Sequence, residues 1–190
     1  MSKRLRVQVC GLVQGVGFRP FVATLAMRHG LTGFVQNHAR GVVCEVQGDH
    51  TELFLRELAQ TPPRLAQIAS IETETCPLVD SEPPFHILSS VQAVAAQTRI
   101  GPDLAPCNAC LTEATEPTAR RFLYPFSSCT ECGPRLTIAR ALPYDRDRTT
   151  LARFPLCVAC RREYGDPADR RFHAQPMACT ECGPRLSHSL

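Results

Sequence analysis

Two groups of residues in this 190-residue chain have the types and spacing to do chemistry, and the first is a set of cysteines. Eight of the eleven fall after residue 106 as four Cys-x-x-Cys pairs: Cys107 and Cys110, Cys129 and Cys132, Cys157 and Cys160, Cys179 and Cys182. Two cysteines three apart can reach one ion from a tight knuckle, and two knuckles supply the four thiolates that Zn²⁺ prefers at about 2.3 Å in a tetrahedron. Such a site is closed, with no open coordination position, so the spacing predicts two structural zinc ions rather than a catalytic metal. Redox dithiols and free thiols are the competing uses of these residues. An iron–sulfur cluster is the alternative occupant.

The pairs sit in a duplicated frame. Cys129-Thr-Glu-Cys132-Gly-Pro-Arg-Leu recurs as Cys179-Thr-Glu-Cys182-Gly-Pro-Arg-Leu, and Arg120-Arg121-Phe122 recurs as Arg170-Arg171-Phe172, each 50 residues on. The repeat favours ligand sets taken from within each unit, although an interleaved pairing also satisfies the count. Gly133 and Gly183 are expected to let the backbone turn after each second knuckle and present N–H groups to sulfur. His173 has Leu123 as its counterpart and reads as a surface or interdomain hydrogen-bonding residue. The four arginines read as surface or interdomain contacts.

The second group is Gly11-Leu-Val-Gln-Gly-Val-Gly-Phe-Arg19. It follows an alternating run (Leu5, Val7, Val9) and leads into an amphipathic helix. A glycine-punctuated turn at a helix N-terminus aims unpaired main-chain N–H groups at one spot and adds the helix dipole, a combination that favours an anion. Arg19 supplies a planar guanidinium suited to phosphate. The Lys-Ser/Thr pair of a nucleotide-binding P-loop is missing. A tight turn carrying an exposed arginine is the other reading of the same residues.

The remaining elements must position these two groups. Phe18, Phe21, Val22, Leu25 and Ala26 mark one apolar helix face that stops at Gly30. Leu31–Asn37 and Gly41–Gly48 read as a hairpin, with Asn37 near its turn. Asp49-x-x-Glu52 predicts a capping box for a second helix ending before Pro62-Pro63. Ile68–Cys76 reads as a strand with a slip in its alternation, and Phe85–Leu88 as a short last strand. Two helices against an antiparallel sheet make an α+β sandwich. We therefore expect a first domain over 1–92, a linker over 93–104 and a metal-stapled domain over 105–190. Cys10, Cys44 and Cys76 are expected to be buried core residues.

The formal charge is +3, too mild to argue for nucleic acid. Eight thiolates with two divalent ions take it to −1, which weakens that reading further. There is no apolar run of membrane-spanning length and no secretory segment after the N-terminus. The reading is a soluble cytoplasmic protein.

Gly-x-Val-Gln-Gly-Val-Gly-Phe-Arg together with Gly33-x-Val-x-Asn37-x-x-x-Gly41-x-Val resembles the acylphosphatase family over about residues 4–90. The resemblance implies a ferredoxin-like β-α-β-β-α-β sandwich. It also implies a phosphate held by Gln14, Gly15, Val16, Gly17, Phe18 and Arg19, with Asn37 positioning the attacking water and Arg19 and Asn37 as the catalytic pair. An acidic residue often precedes the hairpin glycine in that family, whereas this chain has Arg40. The whole chain, from the loop through Pro102-Asp103, Tyr124-Pro125-Phe126, Pro143-Tyr144-Asp145-Arg146 and His173-Ala174-Gln175-Pro176, resembles the N-terminal part of the carbamoyltransferases of nickel–iron hydrogenase maturation, the HypF family. That implies hydrolysis of carbamoyl phosphate to carbamate and phosphate for cyanide-ligand synthesis, with a HypE-type acceptor protein as partner of the longer protein. Nucleotide-handling domains of that family have no counterpart here, so full carbamoyl transfer is not expected of this chain alone. A stand-alone acylphosphatase, or a zinc-finger module that binds nucleic acid or protein without catalysis, are the rival readings.

Overall fold

The computed structural model describes residues 2–91 and 99–187. Half of the expected 93–104 linker falls outside the described residues, at 93–98.

The first half is built on a five-stranded sheet of order β4-β1-β3-β2-β5. Its strands are β1 (Lys3–Leu12), β2 (Thr32–His38), β3 (Gly41–Gly48), β4 (Gln67–Cys76) and β5 (His86–Ile87). The first four pair antiparallel, and β5 adds two residues parallel to β2. Helices α1 (Phe18–Arg28) and α2 (Thr51–Gln60) complete the sandwich. The alternation read from sequence is the one the sheet uses: Val7, Val9, Val35, Val42 and Val46 face inward and meet Val22, Leu25, Phe54 and Leu58 from the helices. Each such side chain contributes about 1.5–3 kcal/mol of burial. The slip expected in Ile68–Cys76 is a register shift opposite Cys10 and Gly11.

Helix α1 ends as expected. Gly30 takes φ 64°, its N–H reaches the Met27 carbonyl, and the Leu31 N–H reaches that of Ala26, which closes the last turn with glycine's left-handed conformation. Helix α2 does not start as expected. Its N-cap is His50, one residue beyond the expected Asp49, and the His50 side chain makes no bond to the first turn. Burial of Thr51, Phe54 and Leu58 helps position the helix. Of the three scattered cysteines only Cys44 is buried; Cys10 and Cys76 are partly exposed.

The second half has little regular structure. Two eight-residue helices, α3 (Asn108–Thr115) and α4 (Val158–Gly165), recur at the 50-residue offset, joined by 3-10 turns and extended segments. No helix among the described residues is long and apolar enough to cross a membrane.

Candidate functional site

The loop between β1 and α1 has the conformation its glycines allow. Gly15 and Gly17 take φ 73° and 76°, values that L residues seldom adopt. Among the described residues, the N–H groups of Gly15, Val16 and Gly17 donate to no protein acceptor. The Gln14 side chain is occupied otherwise: its amide donates to the carbonyls of His38 (2.9 Å) and Gly41 (2.7 Å), tying the loop to the β2–β3 turn. Only the main chain of Gln14 is left to serve a ligand.

Asn37 lies within β2 opposite Val42, 1% exposed, and neither Nδ2 nor Oδ1 has a hydrogen-bond partner. Arg19, in the first turn of α1, is buried as well. Gly15, Gly17, Arg19 and Asn37 share a small cavity of about 30 Å³ with Tyr144 and His173 of the second half. That is room for about two waters.

The second half closes this cavity. A Cβ on Gly15 would stand 2.8 Å from Pro134 and 3.2 Å from the Tyr144 ring, and one on Gly17 would stand 3.1 Å from Thr130. The Tyr144 N–H points to Gln14 Oε1 at 3.4 Å. Arg19 is not the free guanidinium the sequence suggested. One terminal nitrogen lies 2.5 Å from Asp145 Oδ1 and 3.4 Å from the Tyr144 carbonyl, and the other lies 3.4 Å from Ser90 Oγ. A guanidinium carries five N–H donors, so these contacts leave Nε–H and one N–H of the terminal nitrogen beside Ser90 for a ligand. Beyond Arg19 a second, open cavity of about 400 Å³ is lined by Ser90, Asp145, Arg148, Tyr164 and His173.

His173 therefore belongs to the interface rather than the surface. Its ring packs against Tyr164 and Phe172 with centroids 4.6 and 4.8 Å apart. Burial, with the Arg19 charge nearby, lowers its pKa to about 4. His173 takes φ 52°, and its counterpart Leu123 takes φ 54°; yet Leu123 is 73% exposed. The duplicated backbone is kept at this position while the two side chains face different surroundings.

The cysteines gather in two groups, Cys107/Cys110/Cys129/Cys132 and Cys157/Cys160/Cys179/Cys182, with the four sulfurs of each within 4.8 Å of one another. The grouping is the local one. Sulfur separations of 3.6 and 3.8 Å in both groups match the ~3.8 Å edge of a tetrahedron with metal–sulfur bonds of about 2.3 Å, so the donor set fits a four-coordinate ion. Cys107 and Cys157 are the N-caps of α3 and α4, where the helix dipole favours thiolates. The two glycines behave differently. Gly133 takes φ 77° and turns the chain. Gly183 sits at a bend without a positive φ, its N–H donating to the Cys179 carbonyl at 2.8 Å; it is needed because a Cβ there would collide with the Tyr124 hydroxyl at 1.9 Å. The recorded N–H···S bond, 3.4 Å to Cys132, comes from Cys107 and not from a glycine.

Arg121 and Arg171 are buried (1% and 3% exposed) and not surface residues. Both pair with carboxylates: Arg121 with Glu163 at 2.6 Å and with Glu113 at 3.2 Å, Arg171 with Glu113. Burial alone would raise the Glu163 pKa, but Arg121 and Arg120 outweigh it and hold the carboxyl at about 2. Charge made these residues look solvated in the sequence; nothing local marks them as partners across 42 or 58 positions.

Comparison with known proteins gives separate matches for the two halves of the chain. Residues 5–87 match the acylphosphatase family, and residues 107–139 and 156–188 each match the HypF finger. The chain is 50% identical over 156 residues to the carbamoyltransferase HypF of Synechocystis, covering 81% of this chain and 20% of that protein. It is 37% identical over 82 residues to the acylphosphatase of Leuconostoc mesenteroides, covering 42% of this chain and 91% of that enzyme. Among solved structures, full-length HypF in its phosphate- and nucleotide-bound form superimposes with a TM-score of 0.91 at 43% identity, over 98% of this chain and 25% of that one. HypF of T. kodakarensis gives 0.82 at the same identity, over 95% and 23%. The chain thus spans about a fifth to a quarter of the length of the carbamoyltransferases it matches.

Proposed function

Because residues 5–87 belong to the acylphosphatase family and are followed by a paired HypF finger, as at one end of the HypF carbamoyltransferases, we propose that this chain binds carbamoyl phosphate in the 14–19 loop and hydrolyses it to carbamate and phosphate. The longer protein would pass the carbamoyl group to a HypE-type acceptor for cyanide-ligand synthesis. The observation that carries the reading is Asn37. A buried amide with both polar atoms unbonded forfeits about 1–3 kcal/mol per group, and it faces the cavity that holds Arg19 and the unpaired loop amides. Those groups supply hydrogen-bond donors for an oxyanion and, at Asn37, a donor and an acceptor for a water.

The chemistry is electrostatic and positional. The loop N–H groups and Arg19 neutralise charge on the phosphoryl oxygens. Asn37 orients a water toward phosphorus. The water oxygen bonds to phosphorus, the bond from phosphorus to the carbamoyl oxygen breaks, and carbamate leaves as a carboxylate. Phosphate departs with the water's remaining hydrogen, the other proton going to solvent. Asp145 holds one edge of the Arg19 guanidinium, so the ligand takes the remaining donors.

Phosphate release from carbamoyl phosphate tests the proposal. Arg19→Ala should cost roughly 10²–10³ in kcat, on the scale of losing one preorganised donor to a transition state. Asn37→Ala should lower turnover more than it weakens inhibition by inorganic phosphate. Full activity in Arg19→Ala would refute the assignment.

In the second half, Cys107, Cys110, Cys129 and Cys132 would hold one ion and Cys157, Cys160, Cys179 and Cys182 another. Zinc is the ion that closed tetrahedral thiolate sets suit best, and when bound it supplies folding energy rather than chemistry. This half is a scaffold that seals the loop. A metal assay returning two zinc ions per chain supports that role, and iron with sulfide would replace it.

A further inference from the structure

We propose that the two Cys₄ centres load as one cooperative unit, because each is completed by the arginine pair of the other repeat. The inference rests on reading the clusters as metal centres.

The contacts cross over. Arg170 of the second repeat places Nη1 2.8 Å from Cys110 Sγ of the first. In return, Arg120 of the first repeat places Nη1 3.3 Å from Cys160 Sγ and 3.8 Å from Cys157 Sγ of the second, and Arg121 Nη2 lies 3.4 Å from Cys160 Sγ. The neighbouring bonds obey the same exchange. Arg121 Nε donates to the Ala178 carbonyl at 2.8 Å, and Arg171 Nε donates to the carbonyl of Ser128 at 3.1 Å; Ser128 and Ala178 are equivalent positions at the 50-residue offset. The arginines are anchored by carboxylates of the repeat they visit, Arg120 and Arg121 by Glu163 and Arg170 and Arg171 by Glu113, and Arg121 also reaches Glu113 of its own repeat at 3.2 Å. Thr130 adds a further tie, its N–H and hydroxyl both donating to the Arg170 carbonyl at 3.2 and 3.1 Å.

A divalent ion with four thiolates leaves two net negative charges, and donors and cations beside the sulfurs lower the cost of holding them in a partly buried site. Here those donors come from the other repeat. A repeat that has not bound its own ion is not folded and cannot present its arginines, so its neighbour binds metal more weakly. By linkage the effect is reciprocal. Two independent fingers on one chain would have kept their arginines within their own units.

The experiment uses the full chain stripped of metal and titrated with Co²⁺, whose thiolate complexes absorb, with native mass spectrometry counting ions per chain. At one equivalent of Co²⁺, empty and doubly loaded chains should dominate. A singly loaded population at half or more would overturn the proposal, whereas failure to bind any metal would instead overturn the metal reading beneath it. Site identity comes from cysteine alkylation during chelator challenge of the zinc-loaded protein. Arg170→Met should speed alkylation of Cys107, Cys110, Cys129 and Cys132 by about tenfold or more, the scale of losing an outer-shell partner, ahead of the four cysteines in its own repeat. Arg120→Met should do the converse, and Arg170→Lys, which keeps the charge, should restore most of the protection. If Arg170→Met loosens only Cys157, Cys160, Cys179 and Cys182, or neither set, the crossed wiring has no energetic role.

Discussion

The two halves of this molecule solve the same problem with different materials. The first buries a contiguous set of valines, leucines and phenylalanines between a sheet and two helices, and among the described residues the second half adds only Phe172 to that cluster. The second half has no comparable cluster among the described residues; its apolar clusters centre on the cysteines themselves, with Ala174 and Met177 beside the second set. Apolar burial gives the first half a rigid platform for the loop between β1 and α1. Metal ligation and crossed arginine–carboxylate pairs give the second a shape that covers that loop. Each half thus has its own source of stability, and the candidate site forms where they meet.

Removing metal should break the comparison most sharply. With on the order of 10 kcal/mol of folding energy per site, chelation should unfold residues 105–185 while amide exchange in β1, β3 and α1 stays slow. Exchange lost in both halves together would show that the platform depends on its cover. Phe54→Ala makes the opposite test. It should cost the first half about 3–5 kcal/mol, seen as a lower denaturant midpoint, and leave the metal count at two. Gly15→Ala addresses the seam. The positive φ and the contact with Pro134 should cost about 1–3 kcal/mol and raise the protease sensitivity of the 133–149 segment without unfolding either half.

The smallest effect concerns pH. Burial lowers the His173 pKa from an ordinary 6.5 to about 4, so the undocked state binds the extra proton first. The contribution of His173 to docking is complete above about pH 6.5 and declines as pH falls toward 4. Acid also releases thiolate-bound metal, so the measurement is the difference between wild type and His173→Gln, with docking followed by protease sensitivity across that window. Identical pH profiles would rule out a contribution from the imidazole.

What the sequence disclosed followed from periodicity and fixed spacing. Val7 and Val9, the helix face from Phe18 to Ala26, the glycines at 15, 17 and 30, and the four cysteine pairs are local patterns whose physics is local, and each appears where expected. Long-range pairing was hidden. Arg19 meets a carboxylate 126 positions away, and Arg121 and Arg171 are buried only because the repeats face one another. The capping signature at Asp49 lies one residue before the N-cap, His50, and burial of Phe54 and Leu58 helps fix where α2 lies. Gly183 looked like a turn residue, although its constraint is the approach of Tyr124 from the other repeat.

Positions 123 and 173 share a backbone conformation but not a neighbourhood. Gene duplication leaves one molecule holding its own internal reference: a substitution at Leu123 reports what the finger scaffold tolerates at that corner, and the matching substitution at His173 reports the same tolerance plus whatever the catalytic half demands. Subtracting one from the other isolates the demand of the neighbour, a measurement that a single-copy finger would not permit.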